Sequence, residues 1–188
     1  MMNRAAWIVT WGLVFALGSL TAADTCAAQP ALSNNYADEL TDWGVPPQTS
    51  LKYDVGSRTP MELPGARRIT TRELKELRAQ AVLLDVLGDK HSATIPDAIH
   101  VPDAGNYGKF DDQVQARFFR LLSSLTDRDM NRQVVFFCEG AKCWESYNAA
   151  LRAVNLGFRN VLWYRGGLAS WTEANLPLVS MPPPRRMK

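Results

Sequence analysis

The chain holds few of the residues from which cross-linked or metal-holding proteins are built. Among 188 residues there are three cysteines and two histidines. A small fold stapled by disulfides needs a framework of paired cysteines, and three do not supply one. A structural zinc takes four nitrogen or sulfur ligands. His91 and His100 are all that stand beside the cysteines, so no metal is expected, and no cofactor either. Charge of one sign is also scarce. The formal net charge is +2 and no Lys/Arg run lies in the middle of the chain, so nothing points to nucleic acid. There is no internal repeat. The uncharged run from Ala5 to Leu20 is short for a membrane span, which takes about 20 residues. What remains is an ordinary globular mix, 46% hydrophobic and 21% charged, of a length that suits one domain after a leader.

That leader is legible. Arg4 supplies a positive start, the apolar run follows, and small residues close it at Thr21-Ala22-Ala23 and Cys26-Ala27-Ala28. The pattern is that of a secretory signal over residues 1–28, with cleavage expected after Ala28 and after Ala23 as the alternative. Asp24-Thr25 fits poorly before a lipid-bearing cysteine at Cys26. The mature protein is then expected in the periplasm or outside the cell, with no stable membrane span. Cleavage after Ala28 leaves Cys138 and Cys143 alone, five apart on one short segment, in a compartment where thiols pair.

Residues 29–66 read as an irregular extension. Pro30, Pro46-Pro47, Pro60 and Pro64-Gly65 interrupt any long element, while Tyr36, Trp43 and Tyr53 suit a segment that lies across a domain. From Arg67 the pattern sharpens, and a folded unit is expected over residues 67–180. Thr70-Thr71-Arg72-Glu73 has the form of a capping box, with a helix to about Gln80. Ala81–Val86 and Gln133–Phe137 are apolar runs of the kind found in buried parallel strands. Ile99–Val101 and Asn160–Tyr164 are further strands. Asp111–Ser124 carries Val114, Phe118, Leu121 and Leu122 on one helical face. Trp144–Leu156 is helical and stops at Gly157. Gly166-Gly167 opens a short helix with Trp171, and Trp163 and Trp171 read as core. Alternation of strands and helices gives an α/β fold with a mainly parallel central sheet flanked by helices. Residues 181–188 read as a frayed tail.

The chemistry concentrates where a strand ends at Cys138 and a helix begins at Trp144. Ligands of open α/β sheets bind beyond the carboxyl ends of strands, and a helix N-terminus offers free N–H groups to an anion. A cysteine there ionises readily, and the thiolate is the nucleophile. The loop Glu139, Gly140, Ala141, Lys142, Cys143 is expected to bind an anion through its N–H groups, with Gly140 allowing the turn. A persulfide, Cys–S–S⁻, is such an anion. Asp85, at a strand end, is expected to support the loop through backbone hydrogen bonds, and Trp144 to pack at its helix start. Asp97 stands in a turn that Asp tolerates in left-handed form.

The segment Ala81–Leu178 resembles the rhodanese domain. The matching pieces are Val82–Val86, Ile95–Pro102, Val134–Cys138, Ala149–Val161 and Gly166–Trp171, in order and spacing. The resemblance implies a rhodanese-like fold with Cys138 as the nucleophile. That family usually closes its loop with Arg and then Ser or Thr, where Cys143 and Trp144 stand here. The missing Arg removes a bidentate anion clamp, and with it the ground for efficient thiosulfate use and for phosphatase chemistry.

Cys143-Trp144, Tyr147–Ala150 and Leu63–Ala66 are in addition similar to the exported CXXCW-motif proteins associated with pyrroloquinoline-quinone-dependent catabolism, although four residues rather than two separate the cysteines. That narrower resemblance implies a supporting role in periplasmic alcohol oxidation.

Three readings stay open. In the first, Cys138 takes sulfane sulfur from a small donor and passes it to a thiol acceptor, with Cys143 resolving the persulfide. In the second, Cys138 and Cys143 exchange electrons as a thiol–disulfide pair. In the third, the fold is a binding module for a periplasmic dehydrogenase or transport component.

Overall fold

Five parallel strands form the core of the chain. In a computed structural model, residues 35–53, 56–88 and 91–187 are described. The expected signal segment and Cys26 lie outside the described residues. The strands are β1 (Arg67–Ile69), β2 (Val82–Asp85), β4 (Ile99–His100), β5 (Val134–Phe137) and β6 (Val161–Tyr164). Their order across the sheet is β1-β6-β5-β2-β4, and every pairing is parallel. The four residues of β5 and the four of β6 are all buried, which is why these strands read as unbroken apolar runs rather than alternating ones.

Helices α1 (Thr71–Leu77), α2 (Gln113–Leu125), α3 (Trp144–Asn155) and α4 (Gly167–Glu173) connect and cover the sheet. Thr70 and Glu73 close the expected capping box on α1. The helix ends at Leu77, short of Gln80, because residues 78–80 form a turn. Helix α2 begins two residues later than the apolar pattern suggests. Asp112 is extended, and its side chain accepts from Gln115 N–H as the cap. Two packed clusters fill the two faces of the sheet. One gathers Phe118, Phe136, Tyr147 and Trp163, the other Leu74, Phe137, Tyr164 and Trp171. Trp163 and Trp171 are thus core. Asp97 takes the left-handed conformation, at φ 71°. Among the described residues no helix is long and apolar enough to cross a membrane.

The ends of the described chain are both laid onto the domain. Strand β3 (Ala93–Thr94) pairs antiparallel with β7 (Val179–Ser180), a contact that no periodicity announced. Beyond it, Arg185 N–H donates to the His100 carbonyl at 2.7 Å, and Met187 is buried. The tail expected to fray therefore follows the sheet edge as far as Met187. In the N-terminal extension, Tyr36, Leu51 and Leu63 are buried.

Arg152 of α3 is fully buried. Its guanidinium donates to both Asp112 carboxylate oxygens, to Gln115 Oε1 and to the carbonyls of Asn106 and Lys109. Burial alone would push the Asp112 carboxyl up. The hydrogen bonds from Arg152 and from the N–H groups of Gln115 and Lys109 outweigh it and hold the group below its ordinary value. A carboxyl depressed in the folded state contributes stability above its unfolded pKa of about 3.9 and loses it as pH falls through the folded value. Thermal melts of wild type should therefore fall between pH 4 and pH 2 more steeply than those of Asp112→Asn, whose stability is already lower at neutral pH.

Candidate active site

The loop from Cys138 to Cys143 leaves the carboxyl end of β5 and is fixed by close backbone contact. Leu168 N–H donates to the Cys138 carbonyl at 3.0 Å and Ala169 N–H to the Glu139 carbonyl at 2.8 Å. Gly167 makes this approach possible. Its φ is +58°, and a Cβ there would lie 2.3 Å from the Cys138 carbonyl oxygen. Gly140 serves the same contact from the other side: its Cβ would sit 3.2 Å from the Gly166 carbonyl oxygen. The need at Gly140 is close approach; the left-handed turn falls at Gly167 instead.

Cys138 and Cys143 are joined by a disulfide with Cα atoms 6.4 Å apart. Cys143 is the cap residue of α3 and makes no side-chain cap bond. The N–H that such a cap would satisfy, that of Ser146, donates instead to Cys138 Sγ at 3.4 Å. The Ser146 hydroxyl lies 3.1 Å from the same sulfur and accepts from Trp163 Nε1–H at 3.0 Å. The indole leaves the hydroxyl proton for the sulfur. Two donors from Ser146, both at the start of α3, therefore face Cys138. The loop N–H of Cys143 turns away, to the Gly140 carbonyl at 3.0 Å.

Cys143 has a different neighbour. Glu145 Oε2 stands 3.7 Å from Cys143 Sγ and accepts from Gly88 N–H at 3.0 Å. A Cβ on Gly88 would lie 2.6 Å from the other carboxylate oxygen, so a larger residue there would displace the carboxylate from this position. The two sulfurs thus sit in unlike surroundings: Cys138 Sγ has the two Ser146 donors and, at 3.4 Å, the Cys143 carbonyl oxygen, whereas Cys143 Sγ faces a carboxylate.

The extension closes over the loop. Thr59 donates to the Ala141 carbonyl twice, through N–H at 3.1 Å and Oγ1 at 2.8 Å. Trp144 Nε1–H donates to Ser57 Oγ at 2.9 Å, and its ring meets Tyr147 edge-on. Trp144 is buried at its helix start, as expected. Arg165, at the end of β6, binds the carbonyls of Asp38, Glu39 and Thr59 and lies over the Trp43 ring at 4.7 Å. Burial pushes its guanidinium down to about 10, Arg68 adding to the effect and Asp38 and Asp42 opposing it. This arginine is committed to the extension. Between extension and loop lies a cavity of about 410 Å³, lined by Asp38, Trp43, Glu139, Lys142, Cys143 and small residues.

Asp85 is fully buried. Its carboxylate accepts from Leu87 N–H at 3.1 Å and Thr94 Oγ1 at 2.6 Å, and it pairs with His91 Nε2 at 2.9 Å. It orders the segment that leads to Gly88, not the cysteine loop directly. Among the described residues no cluster of His, Cys, Asp and Glu is arranged for a metal ion.

A parallel sheet with a cysteine loop between β5 and the start of α3 is matched over residues 70–174 by the profile described as the rhodanese-like domain. The chain belongs to the rhodanese-like domain family. Solved structures similar to this rhodanese-like chain include a thiosulfate sulfurtransferase from Pseudomonas aeruginosa, at 26% identity and TM-score 0.45, covering 61% of this chain and 20% of the other. A human single-domain sulfurtransferase is 23% identical at TM-score 0.42, covering 57% of this chain and 96% of the other. A protein from Bacillus halodurans is 22% identical at TM-score 0.45, covering 61% and 77%. This chain spans only about a fifth of the Pseudomonas protein. No curated protein matches it.

Ser146, Glu145, Thr59 and Arg165 are the neighbours that sequence reasoning did not single out. Ser146 was open to inference, since it sits at the third position of a helix that starts beside a cysteine. In the reduced protein, Ser146→Ala is expected to raise the pH midpoint of Cys138 alkylation by about one unit, through loss of a donor to the thiolate. It also leaves Trp163 Nε1–H buried without its acceptor, at a cost of about 1–3 kcal/mol. Peptide-resolved alkylation across pH and a thermal melt read the two effects separately.

Proposed function

We propose that this rhodanese-like protein accepts sulfane sulfur on Cys138 and reduces it with Cys143. The observation that carries the reading is the Cys138–Cys143 disulfide inside the loop, with Ser146 N–H and Oγ directed at the Cys138 sulfur.

The Cys138 thiolate attacks the outer sulfur of a donor persulfide, R–S–SH, and the donor leaves as its thiol, R–SH. Cys138 then carries the persulfide. The Cys143 thiolate attacks Cys138 Sγ and expels hydrosulfide, and the Cys138–Cys143 disulfide forms. The sulfane sulfur gains the two electrons that the dithiol loses. Donors at the start of α3 favour the anionic states of Cys138. The fold supplies no loop Arg, and Arg165 is held by backbone carbonyls, so a thiol persulfide fits better than thiosulfate.

The uncharged run behind Arg4 supports export, and Cys143-Trp144 with Tyr147–Ala150 supports a place beside pyrroloquinoline-quinone-dependent alcohol oxidation. The partners this reading calls for are a small sulfur donor and a thiol that reduces the disulfide.

The same disulfide favours a second reading, electron exchange without sulfur transfer. Intact mass separates them. Reduced Cys143→Ser protein treated with inorganic polysulfide is expected to gain one sulfur atom, removable by reductant and absent from Cys138→Ser. Wild type should instead lose two hydrogens and release sulfide. A Cys143→Ser protein that gains no sulfur, while wild type still closes its disulfide with other oxidants, would sink the sulfur reading in favour of redox exchange.

A further inference from the structure

The proposed cycle leaves a disulfide that has to be reopened, and the two sulfurs are unequally placed for it. Cys138 is 1% exposed and Cys143 5% exposed. The cavity beneath the extension is lined by Cys143 together with Lys142, Glu139 and Trp43, but not by Cys138. Of the two cysteines, Cys143 is therefore the one that an entering group meets at the cavity wall. The sulfur behind it, Cys138, is the one that accepts from Ser146 N–H and faces the Ser146 hydroxyl.

We infer that a thiol reductant opens the disulfide at Cys143, with Cys138 leaving as the thiolate. Resting on the proposed sulfur cycle, this assigns its return half. The thiolate R–S⁻ bonds to Cys143 Sγ, the bond between Cys143 Sγ and Cys138 Sγ breaks, and the electron pair stays on Cys138. A second thiol then displaces R–S from Cys143 as R–S–S–R, and Cys143 recovers its proton. The rate of such exchange depends on access and rises as the leaving thiol becomes more acidic. Both factors select the same direction. Lys142 lines the cavity and offsets the negative charge of Glu139 and Glu145 around the entering thiolate. Once reduced, Cys143 faces the Glu145 carboxylate, which favours the protonated thiol. Cys138 is left opposite the two Ser146 donors. The two cysteines thus exit reduction in the states from which sulfur loading begins.

This arrangement divides the labour between the cysteines by position. The buried one holds charge well and is the better leaving group and acceptor. The one on the cavity meets other molecules' thiols. Cys138 does not line the cavity, and attack there would leave the departing charge on Cys143, beside a carboxylate.

The test uses the oxidised protein and a plain thiol, so it does not depend on sulfane sulfur. Disulfide-form protein is treated briefly with limiting 2-mercaptoethanol, quenched in acid, alkylated and cut with trypsin. Cleavage after Lys142 separates the cysteines into different peptides. The mercaptoethanol adduct is expected on the peptide that begins at Cys143, and the alkyl label on the peptide that carries Cys138. An adduct mainly on Cys138, or shared equally, would overturn the assignment. The rate gives a second measure: Ser146→Ala should slow opening of the disulfide several-fold by weakening the leaving thiolate, while a thermal melt of the oxidised variant checks that it is folded at the assay temperature. An unchanged or faster opening rate would also overturn it. Failure to load sulfur on Cys143→Ser, with the adduct still found at Cys143, would remove the sulfur cycle and leave this order of attack standing.

Discussion

Everything at the candidate site depends on how closely the start of α4 approaches the backbone after β5. With Gly167 at φ +58° and no Cβ in the way, two N–H groups of α4 bind the carbonyls of Cys138 and Glu139. Those carbonyls are thereby turned toward α4. The Cys138 side chain is left facing the other way, toward the first turn of α3. A chain that could not pass so near at Gly167 and Gly140 would have to lift the loop away, and the sulfur with it. The contact is backbone to backbone, so it does not loosen by a change of rotamer.

With the sulfur held there, helix α3 supplies its chemistry at little structural cost. A helix start has free N–H groups that some acceptor must satisfy. Here the cap residue Cys143 leaves the third one to the Cys138 sulfur, and Ser146 adds its hydroxyl because Trp163 has taken the oxygen lone pair rather than the proton. The core tryptophan thus reaches the site through one serine. Glu145, one residue earlier, points to the other sulfur and rests in the space that Gly88 leaves open. Adjacent residues on one helical turn give the two cysteines opposite electrostatic surroundings.

The fold was readable because parallel strands buried on both faces are written as unbroken apolar runs, as in Val134–Phe137 and Val161–Tyr164. Caps at Thr70 and Asp112 and the stop at Gly157 are local and equally visible. The antiparallel pair β3–β7 was not, because each strand has two residues and its partner is remote in sequence, Ala93 lying opposite Ser180 and Thr94 opposite Val179. Too short a run carries no period. At the site, Cys138 and Cys143 were legible from their place between strand and helix. Asp85 was singled out as support for the cysteine loop, but its partners are Leu87, His91 and Thr94, brought to it by a segment and a two-residue strand whose path no pattern states. Thr59 and Arg165 were invisible for a related reason. A threonine in an irregular segment and an arginine after a strand acquire meaning only when the extension is seen to lie over the loop.

That extension also bears on what the cavity accepts. Arg165 stands near the loop where an anion clamp would be useful, yet its donors are taken by the carbonyls of Asp38, Glu39 and Thr59. The cavity itself presents the carboxylates of Asp38 and Glu139 against the single ammonium of Lys142. A small dianion entering it meets no planar fork of donors and a lining of net negative sign, so its desolvation is poorly repaid. A thiol or thiol persulfide carries its charge on one polarisable sulfur and costs less to desolvate. The same arginine that binds the extension to the domain therefore removes the group that would favour an inorganic anion. By building the cavity from a strap rather than from a guanidinium, the chain shifts the advantage toward sulfur borne on carbon.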